Sequence, residues 1–522
     1  MLDNFPFYLS LIVAIVLIIM LANKIKIAYP VLLVIAGLLT SFIPGIPMLH
    51  IDPELIFFIF LPPLLYDASW AISWKELWRW RRIISSFAFV VVFLTAMAVA
   101  FFANSYMPGF SLALGFLLGG IVSPPDAVSA GAILKFVKVP KRLSSILEGE
   151  SLLNDASSLI IFRFALIAVA TGQFVWYEAA LSFSWMLVGG IGIGLLVAWI
   201  FMKAHKHLPT DASMDTVFTL VTPYVIYIAA EEVHSSGVLA VVSGGLLQAY
   251  HRYEFLSSSS RLRGVNVWES LIFVMNGLVF MMIGLELPEI VSGLGEVSLS
   301  SAICYGLMVT AVLVVARILS AFGAVITTLI ARNFITVADA SNPGMKTPLL
   351  LGWTGMRGVV SLAAALSIPV QLADGTAFPE RNLILFITFV VILTTLVVQG
   401  LTLPYLISKI ELPQWDDYLP EEEADIYIKK QLSAHAVKYL RTNCAEELDE
   451  HHVLQKFIGK LEESGKLADD SVIAEEVKSI YLDVIAQQRQ WLLKNTANQH
   501  LDDEVIRKFL RRLDIEEEKL KF

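Results

Sequence analysis

The chain has 522 residues, 56% of them hydrophobic and 16% charged, with a net charge of −9 and a mean hydropathy of +0.69. This composition excludes an ordinary water-soluble domain and points to a polytopic membrane protein. The charge is uneven: residues 409–522 hold 17 Lys and Arg against 25 Asp and Glu, whereas residues 1–408 hold 21 against 22. Two domains are therefore expected, a transmembrane body over 1–408 and an acidic cytoplasmic helical tail over 409–522.

In chain order, hydropathy predicts about thirteen spans, at 6–23, 27–44, 54–72, 83–103, 110–134, 147–171, 179–202, 214–231, 236–250, 267–287, 300–330, 347–371 and 382–408. Each is near the ~20 residues a bilayer requires. The first begins without a basic segment and is followed by more spans, so it reads as a span and not as a cleavable signal. Cys304 and Cys444 lie on opposite sides of the body–tail boundary and suggest neither a disulfide framework nor a metal cluster. Alternate loops carry 17 Lys and Arg, from Lys24 to Lys346, while the other set carries only Arg381. Basic loops face the cytoplasm, which puts the N-terminus outside the cell membrane and the tail inside.

Spans five and twelve are interrupted. In "GGIVSPPDAVSAG", Pro124 and Pro125 remove backbone donors beside Asp126. In "LGWTGMRGVVSLA", Gly352, Gly355 and Gly358 surround Arg357. Broken helices at matching positions of two halves point to a transport site at the midplane. An offset of seven spans makes spans one to six and eight to thirteen two inverted six-helix repeats, with span seven between them. The expected fold is thus an all-α polytopic membrane protein with crossed broken helices. "GIGIGLL" and Gly115–Gly119 read as close-packing positions between helices.

The intramembrane charges are few: Asp67, Asp126, Glu150, Asp155, Arg163, Arg317 and Arg357. Glu231, Glu232, Glu286 and Glu289 read as solvated span ends. On the sixth span Ser151 and Asp155 share one helix face, and Glu150 and Asn154 the neighbouring one. Glu150 and Asp155 diverge by about 140°, so one carboxylate is expected to be neutralised by an Arg and the other left for a ligand. Oxygen donors without imidazole or thiolate suit a small hard cation. Asp126 is either a further ligand or the cap of a half-helix. Asp67 is either a ligand from another span or a structural hydrogen-bond partner. Arg357 is placed to neutralise Glu150 and the half-helix ends, while Arg163 and Arg317 read as partners of carboxylates or carbonyls.

No Walker-type sequence is present, so ATP is not expected to drive the protein, and no cofactor or nucleic acid is expected as a partner. Ser151 lacks a His base within the membrane, which argues against an intramembrane protease. A cation channel remains the alternative to a carrier.

Five motifs, "FFIFLPPLLYDA", "SPPDAVSAGAILK", "EGESLLNDAS", "NGLVFMMIGLEL" and "GMRGVVSLAAAL", occur in one order along the body. Together they resemble the monovalent cation/proton antiporter family, in its electroneutral sodium/proton exchanger branch. The resemblance implies a thirteen-helix exchanger, usually homodimeric, with a panel domain and a moving core domain. It implies that Asp155 carries the ion or the proton, with Asn154 as its structural partner. It further implies that Ser151, Asp126 and Asp67 line the Na+ site with Asp155, and that Glu150 and Arg357 form a buried structural pair. Two positions depart from the family pattern: Pro125 stands where Thr is usual and Asp67 where Glu is common. The tail patterns "EEEADIYIKKQL" and "EEVKSIYLDVIAQQ" suggest amphipathic helices.

Overall fold

Apolar runs of this length bury their backbone hydrogen bonds in helices, and in the computed structural model the described residues of the body are mostly helical. The structure describes residues 5–410 apart from 44–52, 135–138, 140, 173–175, 296, 332–345 and 373–374, and beyond them 421–443 and short pieces between 455 and 517. Lys135, Lys138 and Arg332 of the basic loops, and most of the second tail pattern, lie outside the described residues. Among the described residues there is no strand, only a single bridge between Gln371 and Ala377. The chain divides into two compact units, Met1–Trp415 and Asp416–Phe522.

In the first unit the helices are α1 (Phe5–Ile25), α2 (Tyr29–Ser41), α3 (Pro53–Ala71), α4 (Trp74–Ser85), α5 (Val92–Tyr106), α6 (Leu112–Val122), α7 (Ala127–Leu134), α8 (Lys141–Thr171) and α9 (Trp176–His207). They continue with α10 (Ala212–Glu232), α11 (Gly237–Phe255), α12 (Ser258–Leu285), α13 (Leu287–Ser292), α14 (Leu299–Ala331), α15 (Lys346–Trp353), α16 (Val359–Leu366), α17 (Arg381–Thr394) and α18 (Gly400–Lys409). Single π-helical turns at Ser86–Val91 and Thr395–Gln399 join α4 to α5 and α17 to α18. Eight helices among the described residues are long and apolar enough to cross a membrane, and α2 and α6 are shorter apolar helices. In the second unit Glu421–Asn443 forms α19.

Several helices begin before the hydropathy does, because polar caps add a turn. Asp211 accepts from the Ser213 and Met214 N–H groups at 2.8 Å, and Ser257 Oγ accepts from Ser260 N–H at 3.1 Å. The second of these starts α12 at Ser258, nine residues before the expected span at 267. The helices form two packing groups. Helix α8 lies on α4 to α7, whereas α10 lies on α3, α9, α11 and α12. Ile146, Leu147 and Phe162 of α8 pack into the larger apolar cluster, and Leu152 and Ala156 into the smaller one with α3, α10 and α11. One helix therefore faces both groups. Close approach depends on small residues: a Cβ on Gly115 would lie 2.6 Å from the Ala100 oxygen, and one on Gly194 would overlap the Ala240 oxygen.

Candidate ion-binding site

Pro124 and Pro125 stop α6 at Val122 and leave its last carbonyls without partners inside the helix. Between α15 and α16 the chain is irregular from Thr354 to Gly358. The two interruptions touch, since Asp126 N–H donates to the Met356 carbonyl at 2.7 Å. The crossing of spans five and twelve is thus a direct backbone bond.

Arg357 is fully buried in this crossing. Its Nε donates to the Val122 oxygen at 2.8 Å, its Nη2 to the Ser123 oxygen at 3.3 Å, and its Nη1 to the Gly355 oxygen. Its backbone N–H donates to Thr395 Oγ1 at 3.1 Å. A guanidinium thereby meets the negative end of half-helix α6.

Glu150 is held by a different residue from the one expected. Arg317 of α14 grips it with Nη1 on Oε1 at 2.7 Å and Nη2 on Oε2 at 2.9 Å. Both side chains are 1% exposed. The expected Glu150–Arg357 pair is corrected to Glu150–Arg317, because the fork of Arg357 is engaged by the carbonyls that the prolines expose. Arg357 remains close enough for its charge to interact with Glu150 and with Arg317.

Asn154 is buried and donates from Nδ2 to the Pro125 oxygen at 2.9 Å, tying α8 to the break. Asp126 caps α7: Oδ1 accepts from Val128 N–H at 2.9 Å and Oδ2 from Ser129 Oγ at 2.6 Å. A Cβ on Gly358 would overlap the Asp126 carboxylate, so only glycine lets that carboxylate lie against the opposite break. The capping alternative for Asp126 is the geometry observed, and capping leaves lone pairs on both oxygens.

Asp155 is 8% exposed. Among the described residues its carboxylate makes no ion pair and accepts no hydrogen bond, and the charge of Asp126 acts on it. A carboxylate kept from water without a protein partner calls for a proton or a cation. Half-buried Ser151 lies one turn earlier on the same face. Asp67 is partly exposed on α3, and its electrostatic neighbour is Glu269 of α12. The structure thus brings Asp155, Asn154 and Asp126 to one crossing, while Asp67 has no hydrogen bond to them among the described residues. Arg163 pairs with Glu231 at 2.7 Å. The carbonyls of Val122 and Ser123 are the half-helix end at which Arg357 was expected, whereas Thr395 and the carbonyls of Pro125 and Met356 were not foreseen, since backbone oxygens carry no side-chain signature.

The profile described as "Sodium/hydrogen exchanger, transmembrane" matches residues 10–409. A Bacillus subtilis protein named sodium, potassium, lithium and rubidium/H+ antiporter is 36% identical over 390 residues, 72% of this chain and 57% of its own length. The chain thus matches little more than half of that relative. An uncharacterised Na+/H+ exchanger of Mycobacterium tuberculosis is 31% identical over 98% of this chain and 95% of its own. The solved sodium proton antiporter MjNhaP1 from Methanocaldococcus jannaschii shares the fold with a TM-score of 0.64 at 19% identity, covering 78% of this chain and 98% of that one. These likenesses are to transporters and not to enzymes. The profile match, covering the whole helical body in which the two breaks cross, places the chain in the transmembrane sodium/hydrogen exchanger family.

Proposed function

We propose that this protein exchanges Na+, or another alkali cation, for H+ by alternating access. The observation that carries the reading is the Asp155 carboxylate, buried at the helix crossing without a protein partner among the described residues. A proton and a cation compete for it, and only the neutralised site crosses the bilayer cheaply. Ser151 and Asp126 supply further oxygens for the cation, and Asp67 joins them as the core moves. Asn154 and the Glu150–Arg317 pair hold the site in shape, with Arg357 fixing the crossing.

Charge supports one-for-one exchange. Glu150, Asp126 and Asp155 stand against Arg317 and Arg357, so the centre lacks one positive charge when empty. One Na+ or one proton makes it neutral. With the N-terminus outside and the tail in the cytoplasm, an inward proton gradient drives sodium export and pH homeostasis at the cell membrane, with the protein acting as a homodimer. The name of the Bacillus subtilis relative, a sodium, potassium, lithium and rubidium/H+ antiporter, agrees with this class. The test is cation-induced proton movement in proteoliposomes with Na+, Li+ and K+. Asp155→Asn is expected to abolish it, and retained exchange would overturn the assignment.

A further inference from the structure

Of the seven intramembrane charges named from the sequence, Arg163 is the one left without a part in the ion site. It lies on α8, eight residues beyond Asp155, or about 12 Å along the helix axis. Its Nη2 donates to Glu231 Oε2 at 2.7 Å. Glu231 lies in the last turn of α10, which packs on α3, α9, α11 and α12, whereas α8 packs chiefly on α4 to α7. The ion pair therefore joins the two helix groups at the bundle end away from the basic loops.

The pair also lines a cavity of about 330 Å3. One wall is α8, with Leu159, Phe162 and Arg163, and the other includes Phe58, Tyr227 and Glu231. Leu159 stands one turn, about 6 Å, beyond Asp155, so the cavity begins one turn outward of the ion site on the same helix. Both partners keep some exposure, 38% for Arg163 and 25% for Glu231. They are held unequally. Glu231 Oε1 also accepts from Gly237 N–H at 3.1 Å, at the start of α11. When the pair opens, Glu231 keeps a partner on its own side, and Arg163 is released with α8.

We propose that Arg163 and Glu231 form a latch across the outer vestibule, tying the helix that bears Asp155 to the facing helix group and opening when the outer side opens. The proposal rests on the exchange reading above and adds positioning residues to it. A tie of this kind sets how often the vestibule is open, not which ion Asp155 takes. A partly exposed pair is worth little in isolation, so its loss is expected to raise the open fraction about two- to fivefold.

The test is the labelling rate of Leu159→Cys by a membrane-impermeant maleimide added outside. It uses the full chain in oriented proteoliposomes, with Cys304 and Cys444 replaced by Ser and no ion gradient imposed. Arg163→Gln and Glu231→Gln are each expected to raise labelling about two- to fivefold. The double variant should add nothing further, and Arg163→Lys should label like the parent. Unchanged labelling in both Gln variants would overturn the latch. So would equal increases in Arg163→Lys and Arg163→Gln, which would make the effect one of packing. Either Gln variant suffices if the other fails to fold. Because labelling needs no transport, absent exchange in the parent would sink the antiport reading while leaving the latch decided on its own terms.

Discussion

Replacing Arg317 by Met removes both hydrogen bonds on Glu150 and leaves an ionised carboxylate in a site with 0% exposure. Breaking a buried pair from one side costs about 3–5 kcal/mol, most of it the penalty of the stranded charge. At about 1.4 kcal/mol per decade, the folded fraction relative to unfolded falls by roughly two to three and a half decades. If the stranded charge is the cause, Glu150→Gln in the same chain must recover much of the loss. The coupling between positions 150 and 317 should therefore reach about 2 kcal/mol or more in a double-mutant cycle. The same cycle between 150 and 357 should give a smaller value, about 1 kcal/mol, because Arg357 is bound to carbonyls and acts on Glu150 only through space. Denaturation in mixed micelles measures each corner, and survival of the monodisperse peak after heating ranks the variants where refolding is incomplete. A coupling at 357 equal to or above that at 317 would refute the assignment of partners.

Gly358→Ala should displace the Asp126 carboxylate, because the added Cβ overlaps it; the expected result is a chain that folds less well and exchanges at least tenfold more slowly, with the rate following Asp126 and not helix content. Asn154→Asp removes the Nδ2 donor to the Pro125 oxygen and should cost about 1–3 kcal/mol in the same micelle assay. Since the substituted side chain can donate to that oxygen only when it carries a proton, its exchange should remain independent of imposed voltage, and a steep voltage dependence would contradict this. At the far end of the body, Asp215 accepts from Ser260 Oγ at 2.7 Å and pairs with His205 Nδ1 at 2.8 Å. Asp215→Ala should lower heat tolerance by about 1–3 kcal/mol while leaving the order of Na+, Li+ and K+ unchanged in the liposome series.

The helical body was legible because a bilayer imposes length and apolar composition on every span, and the two breaks because paired prolines and clustered glycines each flank a charge at matching positions of the two halves. That Glu150 and Asp155 diverge on α8 followed from helix geometry alone. Which arginine meets Glu150 did not. The choice between Arg317 and Arg357 depends on how α14 and the α15–α16 break are rotated and on which carbonyls lie open, and none of these is encoded locally. The partner of Arg163 was hidden for a related reason: Glu231 looks like any solvated span end until α8 and α10 are placed together.

The partner exchange changes the reading of the site itself. Had Arg357 neutralised Glu150, the open carbonyls of α6 would lie uncapped, and Arg317 would stand as an unmatched buried cation. With Arg317 on Glu150, that pair is internally neutral, and Arg357 is left to hold the carbonyls of Val122, Ser123 and Gly355. Asp126 is held by the α7 cap and lies against Gly358, and its charge acts on Asp155. Asp126 is engaged in capping α7, and among the described residues Asp155 has no protein partner, so the mobile charge of the proposed exchange falls to Asp155. A proton fills that vacancy as well as Na+ does, but both cannot fill it at once, and this competition couples the two fluxes in the proposed exchange.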